Sequence, residues 1–364
     1  MKKEIYVLKL GSNILLGGGG IDQEVLHHIS NTIFNLKKKG IDTVVISSGA
    51  VALGRNYFGT DFISGLTETE TLQVFASVGQ PLLMEEYKKY LSEYNIKISQ
   101  LLLTRRDFSI MENYNSIKKV IFGLLALGII PIINENDVIT PEELDFSDND
   151  QLAVLVSGML GANKMIVLSN VHGLYNKHPD DGGVLLKYVN TINENIMSMV
   201  SNKQSTYGKG GMLSKVKTAK IAMDLGIDMY IVNGKLPGLV EKIVLGKNPG
   251  TIFKAKLKPK IDSIRKWLKA GAVPVGKIQV STIIGDLLKD KKRISILSIG
   301  IVKIINNFSE KDVIEVINEK GECLGLGIAK INSSEFSEAK DSLESKIVIH
   351  TDYFIYLSDF DKSF

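Results

Sequence analysis

Hydrophobic and polar positions along the first 250 residues alternate between two periods. Short apolar runs have the length and the Val/Ile content of strands: Ile5–Leu8, Thr43–Ser47, Lys97–Leu103, Ile129–Asn134, Met165–Ser169, Met229–Val232 and Thr251–Phe253. Between them the spacing becomes that of a helix. Val25, Ile29, Ile33 and Leu36 fall on one face of a segment from Asp22 to Lys39; Leu72, Phe75, Gly79 and Leu83 share a face of a second; a third follows Asn115. Several strands are near-continuous apolar runs, as strands covered on both sides are. The alternation predicts an α/β fold, a three-layer αβα sandwich around a mostly parallel sheet.

After Phe253 the pattern changes. Lys254, Lys256, Lys258, Lys260, Arg265 and Lys266 make a basic connector around Pro259. Beyond it come short β-like runs with glycine turns: Gly276–Val280, Ile299–Ile305, Val313–Ile317 and Leu324–Lys330. The predicted division is an α/β domain over 1–258, a connector over 259–273 and a small, mainly β module over 274–358. Ser333–Lys346 is polar and reads as a helix or a loose excursion.

Composition adds exclusions. The 364 residues carry 44 Lys and Arg against 40 Asp and Glu, a net +4 that does not demand a nucleic-acid partner. A single cysteine, Cys323, leaves no internal disulfide, fits a reducing compartment and reads as a small apolar filler. Glu4 and Lys9 interrupt the apolar start, against a secretion signal, and no apolar run is long enough to span a bilayer. The expectation is a cytoplasmic protein without membrane attachment.

In parallel sheets ligands gather at the carboxyl ends of the strands, so the strand-to-loop junctions are where chemistry is expected. The first junction is Lys9-Leu10-Gly11-Ser12-Asn13, followed by Gly17–Gly20. A lysine before a glycine can reach a phosphate that backbone N–H groups also approach, although a strand-end lysine can equally be a solvated charge and four glycines a hairpin tip. The second is Ser47-Ser48-Gly49-Ala50, a turn that feeds a helix; it is an anion site, or simply a place where Ser48 caps the helix. The fourth strand ends in Asn134-Glu135-Asn136-Asp137, and Ser147-Asp148-Asn149-Asp150 opens an apolar helix soon after. Turn chemistry enriches Asn and Asp, but two such clusters in adjacent junctions favour a polar ligand site. Gly208-Lys209-Gly210-Gly211-Met212-Leu213-Ser214-Lys215 starts another helix, with glycines to wrap phosphates and Lys215 one turn inside.

Together, Lys9–Ser12, Ser47–Ala50, Ala76-Ser77-Val78-Gly79-Gln80, Leu103-Thr104-Arg105, Ile133–Asp137, Asp148–Asp150 and Gly-x-Gly-Gly-Met-x-x-Lys resemble the glutamate 5-kinase family of the amino-acid kinase superfamily. The resemblance covers nearly the whole chain, and the β module resembles a PUA domain. It implies the amino-acid kinase fold and transfer of the ATP γ-phosphoryl group, with Mg2+, to the side-chain carboxylate of L-glutamate, the first step of proline biosynthesis. In that reading Lys9, Lys215 and Asp150 are catalytic, the two lysines on the moving phosphoryl group and Asp150 holding them. Ser48, Gly49, Asn134, Asp137, Asp148 and Asn149 bind glutamate. Lys9, Gly11, Ser169, Asn170, Lys209, Gly210, Gly211, Met212 and Lys215 bind ATP; no metal ligand is assigned. Proline is the implied feedback inhibitor, and a dimer or tetramer the implied assembly.

Two departures stand out: Ser169-Asn170 replaces the family's usual Thr-Asp, and Ser281–Ile284 and Ser295–Gly300 replace the usual PUA signatures. The alternatives are a relative acting on aspartate, acetylglutamate or a nucleotide, and an RNA-binding protein with a vestigial kinase half. RNA contact through Lys289, Lys291, Lys292 and Arg293 is disfavoured, because a charge run is usually a solvated face.

Overall fold

In the computed structural model, which describes residues 3–139, 149–201, 211–255, 264–265, 267–268, 272, 274–290, 292–336 and 345–356, the first apolar run becomes a strand buried at every position. The element order from there is β1 (Ile5–Leu10), α1 (Ser12–Leu15), β2 (Leu16–Gly17), β3 (Gly20–Ile21), α2 (Gln23–Lys38), β4 (Asp42–Ile46), α3 (Ala50–Phe58), α4 (Glu68–Ser92), β5 (Ile98–Leu103) and α5 (Arg105–Ser109). It continues through α6 (Met111–Ala126), β6 (Ile130–Glu135), α7 (Asn149–Leu160), β7 (Lys164–Ser169), β8 (Tyr188–Val189), α8 (Glu194–Ser201), α9 (Met212–Asp224), β9 (Asp228–Asn233), α10 (Leu239–Val244) and β10 (Thr251–Phe253).

The main sheet has the order β5-β6-β4-β1-β7-β9-β10-β8. It is parallel except where β10 runs antiparallel to β9. Because successive side chains of a strand point to opposite faces, β1 serves both layers. Tyr6, Leu8 and Leu10 enter a core with Leu26, Ile29 and Ile33 of α2 and Leu83 and Tyr87 of α4. Lys9, on the other face, meets Asp150 of α7, which α9 also reaches through Lys215. The two helical layers therefore follow from the strand pattern.

Strand edges fall within two residues of the expected runs, and the helix expected after Asn115 already begins at Met111. The Gly17–Gly20 run is a hairpin tip: Leu16 pairs with Ile21, and Gly18 and Gly19 take φ of 60° and 89°. A two-residue turn with both residues left-handed matches the twist of its strands, and glycine adopts it without strain. Helix α4 starts with a reciprocal Thr67–Glu70 capping box and runs through Pro81, losing the bond that would reach the Ser77 carbonyl. It lies backbone-to-backbone on α3. A Cβ on Gly79 would stand 1.7 Å from the Ala50 carbonyl oxygen, and one on Gly54 1.9 Å from that of Phe75.

The chain separates into two units. The first comprises residues 1–105 and 115–259; the second takes in residues 260–364 together with Arg106–Tyr114. Within the second unit, buried Trp267 donates its indole N–H to the Phe108 carbonyl and packs against Tyr114 with ring centroids 6.3 Å apart. Its strands are β11 (Gly276–Val280), β12 (Ile296–Leu297), β13 (Ile301–Asn306), β14 (Val313–Ile317), β15 (Cys323–Ala329) and β16 (Ile347–Tyr356), with helix α11 (Thr282–Lys289) after β11. They form one sheet of order β12-β16-β15-β14-β11-β13 around a core of Ile278, Val280, Ile314, Val316 and Ile349.

The run expected as a strand over Ile299–Ile305 opens instead with a 3-10 turn, Ser298–Gly300, where the Gly300 carbonyl accepts from the Ser281 N–H. Helix α11 and strand β16 had no counterpart in the sequence reading. Of the basic run, Lys289 pairs with Glu322 at 2.7 Å and Arg293 with Asp352 at 3.0 Å, so part of its charge is matched locally. Lys291 and most of the connector lie outside the described residues. Among the described residues no helix is long and apolar enough to cross a membrane.

Candidate active site

Two polar clusters sit side by side at the carboxyl ends of the central strands. The first is ionic. Lys9 lies at the end of β1, in register with Ile46 of β4 and Val167 of β7, so it cannot leave the middle of the sheet. Asp150 is in the first turn of α7, where a helix favours negative charge, and Lys215 is one turn into α9. The Asp150 carboxylate takes both ammonium groups, Lys9 Nζ at 2.7 Å on Oδ1 and Lys215 Nζ at 3.1 Å on Oδ2. Asp150 is wholly buried and both lysines nearly so. Burial alone would raise the Asp150 carboxyl, but the charges of Lys9 and then Lys215 outweigh it and hold the group below the usual carboxylate range. The result is a preorganised pair of cations on one anchored anion.

Gly11 borders this cluster. Its φ of −76° suits any residue, and a Cβ there would meet Lys9 Nζ at 3.9 Å, an ordinary contact. Neither backbone nor packing requires a glycine. Across the sheet, Ser169 ends β7 with its side chain buried, and exposed Asn170 follows. Gly211 is the N-cap of α9 and supplies no side-chain cap, and Met212 begins the helix.

The second cluster is neutral and densely bonded. Asn134, the next-to-last residue of β6, accepts from the Glu135 N–H at 2.9 Å and donates to Gln80 Oε1 at 2.9 Å. Asn149, the first residue of α7, directs Nδ2 at the Ser47 carbonyl (2.7 Å), Ser48 Oγ (2.8 Å) and Asn134 Oδ1 (3.0 Å). The Ser47 hydroxyl lies 2.9 Å from the Tyr87 hydroxyl, whose ionisation burial pushes up, so it stays a neutral partner. Ser48 is not the helix cap that its position allowed. Gly49, at φ 105°, caps α3, and the serine hydroxyl turns to Asn149.

Ser48, Gly49, Asn134 and Asn149 thus converge, Lys9, Asp150 and Lys215 converge, and the consecutive pair Asn149-Asp150 joins the groups. Asp137 is half-buried in the turn after β6. Asp148, Lys209 and Gly210 lie outside the described residues. Three members of the polar cluster, Ser47, Tyr87 and Gln80, were not singled out as site residues from the sequence. A signal for two of them existed: Gln80 lies four residues after buried Ala76 and seven before Tyr87, on the inward face of α4. On α2, His27 is exposed, whereas His28 is half-buried and held below its usual pKa by burial.

The profile of the amino acid kinase family matches residues 4–233. The chain belongs to that family. A PUA domain profile matches residues 276–350. Among curated relatives, the glutamate 5-kinase of Bacteroides thetaiotaomicron is 32% identical over 97% of this chain and 99% of its own length. That of Bacillus cereus is 34% identical over 98% of this chain and the whole of its own. Within the family the chain therefore falls among the glutamate 5-kinases. A solved isopentenyl phosphate kinase aligns at a TM-score of 0.49 and 19% identity, over 68% of this chain and all of that one.

Proposed function

We propose that this protein is an ATP:glutamate phosphotransferase. The observation that carries the reading is the adjacency of the two clusters through Asn149 and Asp150. A substrate held by the polar cluster would lie next to a phosphoryl group held by the lysines. An oxygen of the glutamate side-chain carboxylate attacks the γ-phosphorus in line, the bond from γ-phosphorus to the β,γ-bridging oxygen breaks, and glutamyl 5-phosphate and ADP result. The carboxylate is already ionised at neutral pH, so no general base is needed.

Such transfer rests on positioning and charge neutralisation. Lys9 and Lys215 supply the charge, Asp150 fixes where they stand, and Gly11, Ser169, Asn170 and the turn entering α9, with Lys209–Met212, receive the nucleotide. Ser48, Gly49, Asn134, Asn149 and the Asp137 and Asp148 carboxylates make up the glutamate pocket. Magnesium would arrive on the ATP phosphates; among the described residues no three His, Cys, Asp or Glu side chains cluster to hold a metal alone. Proline shares the α-carboxylate and an ammonium with glutamate but lacks the acceptor carboxylate, so it would compete for the pocket without being phosphorylated. A cytoplasmic homo-oligomer completes the reading.

One experiment tests both substrate and inhibitor. ADP release and hydroxamate trapping are measured with glutamate, aspartate, N-acetylglutamate and UMP, each with and without proline. Hydroxamate from glutamate alone, with an apparent KM that proline raises, is the expected outcome. ADP release with another acceptor and none with glutamate would reassign the substrate.

A further inference from the structure

We infer that Gln80 is a positioning residue for the amino-acid substrate, acting through Asn134 to present the side-chain oxygen of Asn149 as a fixed acceptor. The argument begins with two backbone groups whose polarity is not in question. The Glu135 N–H can only donate, so the Asn134 side-chain atom that meets it at 2.9 Å is the oxygen. The Ser47 carbonyl can only accept, so the Asn149 atom 2.7 Å from it is the nitrogen. These assignments agree where the two amides meet, Asn149 Nδ2 donating to Asn134 Oδ1 at 3.0 Å.

Two atoms remain at the ends of this relay. Asn134 Nδ2 must find an acceptor, and Gln80 Oε1 is that acceptor at 2.9 Å. Asn149 Oδ1 is buried with no partner among the described residues. A buried acceptor facing nothing costs free energy unless a ligand donor meets it. Beside the lysine cluster, and resting on the reading of this pocket as the glutamate site, that donor is the substrate ammonium.

Gln80 itself shows the same asymmetry. Its oxygen is engaged while its own nitrogen is buried without a partner among the described residues. At 8% exposure the side chain is more than nine-tenths buried, so water does not make up the difference. An amide that leaves its donor unmet in order to turn its acceptor to Asn134 is held for that acceptor. Its placement is fixed from outside the site. Gly79, the preceding residue, lets α4 touch the Ala50 carbonyl, and the Gln80 side chain next to it reaches Asn134 at the end of β6.

The test is Gln80→Met in the full chain, which keeps length and bulk and removes the acceptor. With Asn134 Nδ2 stranded, KM for glutamate should rise about tenfold or more while KM for MgATP stays within about twofold. In an Asn149→Ala background the same change should cost less than about threefold, because the group Gln80 acts through is gone. An unchanged glutamate KM, equal shifts for both substrates, or additive effects in the double variant would overturn the assignment. Should Gln80→Met fail to fold, Gln80→Ala asks the same question with less bulk and the same criteria. A wild type that does not turn over glutamate would refute the substrate reading itself; an active wild type with an indifferent Gln80 variant sinks only the role of Gln80.

Discussion

Replacing Asp150 by Asn keeps the shape of the side chain and removes the charge that two buried lysines share. The pairs, at 2.7 and 3.1 Å, are worth about 5–6 kcal/mol gross each at an effective dielectric of about 20, much of it offset by desolvation. Breaking a buried pair by removing one partner costs about 3–5 kcal/mol net. Against a domain stability of about 5–15 kcal/mol the variant should still fold, with β1 and α7 loosened. Hydrogen exchange in those two elements reads this loss locally, apart from any transition of the second unit. Turnover should fall at least about a hundredfold, since both lysines lose their anchor. The pH dependence has a defined sign. The folded-state Asp150 group lies below its ordinary value, so its stabilisation is complete above about pH 4 and fades as pH falls through the folded value. The gap between wild type and Asn variant should close below that range. Inorganic phosphate should protect the variant more than the wild type, because an anion can stand in for the missing carboxylate. Equal protection in β1 and α7, together with a kcat within tenfold of wild type, would refute this account of the cluster.

Two glycine substitutions separate ligand space from packing. Gly11→Ala meets nothing closer than 3.9 Å, so thermal stability should hold within about 1 kcal/mol while KM for ATP rises; an unchanged ATP KM would show that the space beside Lys9 is not used. Gly79→Ala drives a methyl group to 1.7 Å from the Ala50 carbonyl oxygen, so it should cost about 3 kcal/mol or more in unfolding titrations and weaken glutamate binding by spreading α3 from α4; a variant as stable as wild type would contradict that packing.

Much of the first unit was legible because buried parallel strands and amphipathic helices write their periods plainly, and the seven expected strands stand in the sheet. The fold and kinase chemistry read from the motifs agree with the family profile and the full-length relatives. What the sequence concealed depends on contacts between distant residues. Ser48 looked equally good as a cap or a ligand because its hydroxyl suits both; only the approach of Asn149, 101 positions away, distinguishes them. Gln80 sat within a recognisable motif, yet its meaning depends on Asn134, 54 positions on. Strand β16 went unread because its burial alternates only in part, and the helix after β11 because it is only 8 residues long, with Ile283 in it 74% exposed.

In the proposed assignment, two consecutive residues link the sites of the two substrates. Asn149 and Asp150 are neighbours at the start of α7, where successive side chains diverge by about 100° around the axis. One therefore turns to the ends of β4 and β6 and the other to β1 and α9. In that proposed assignment the distance between acceptor and donor subsites is set by a single peptide unit, in a helix buried at every position from Leu152 to Leu160. An in-line transfer penalises even small misplacement of the reacting atoms, so the stiffest available spacer is one turn of a buried helix. A substitution that shifted the start of α7 should therefore impair both subsites together, whereas changes at Gln80 or Gly11 touch one each.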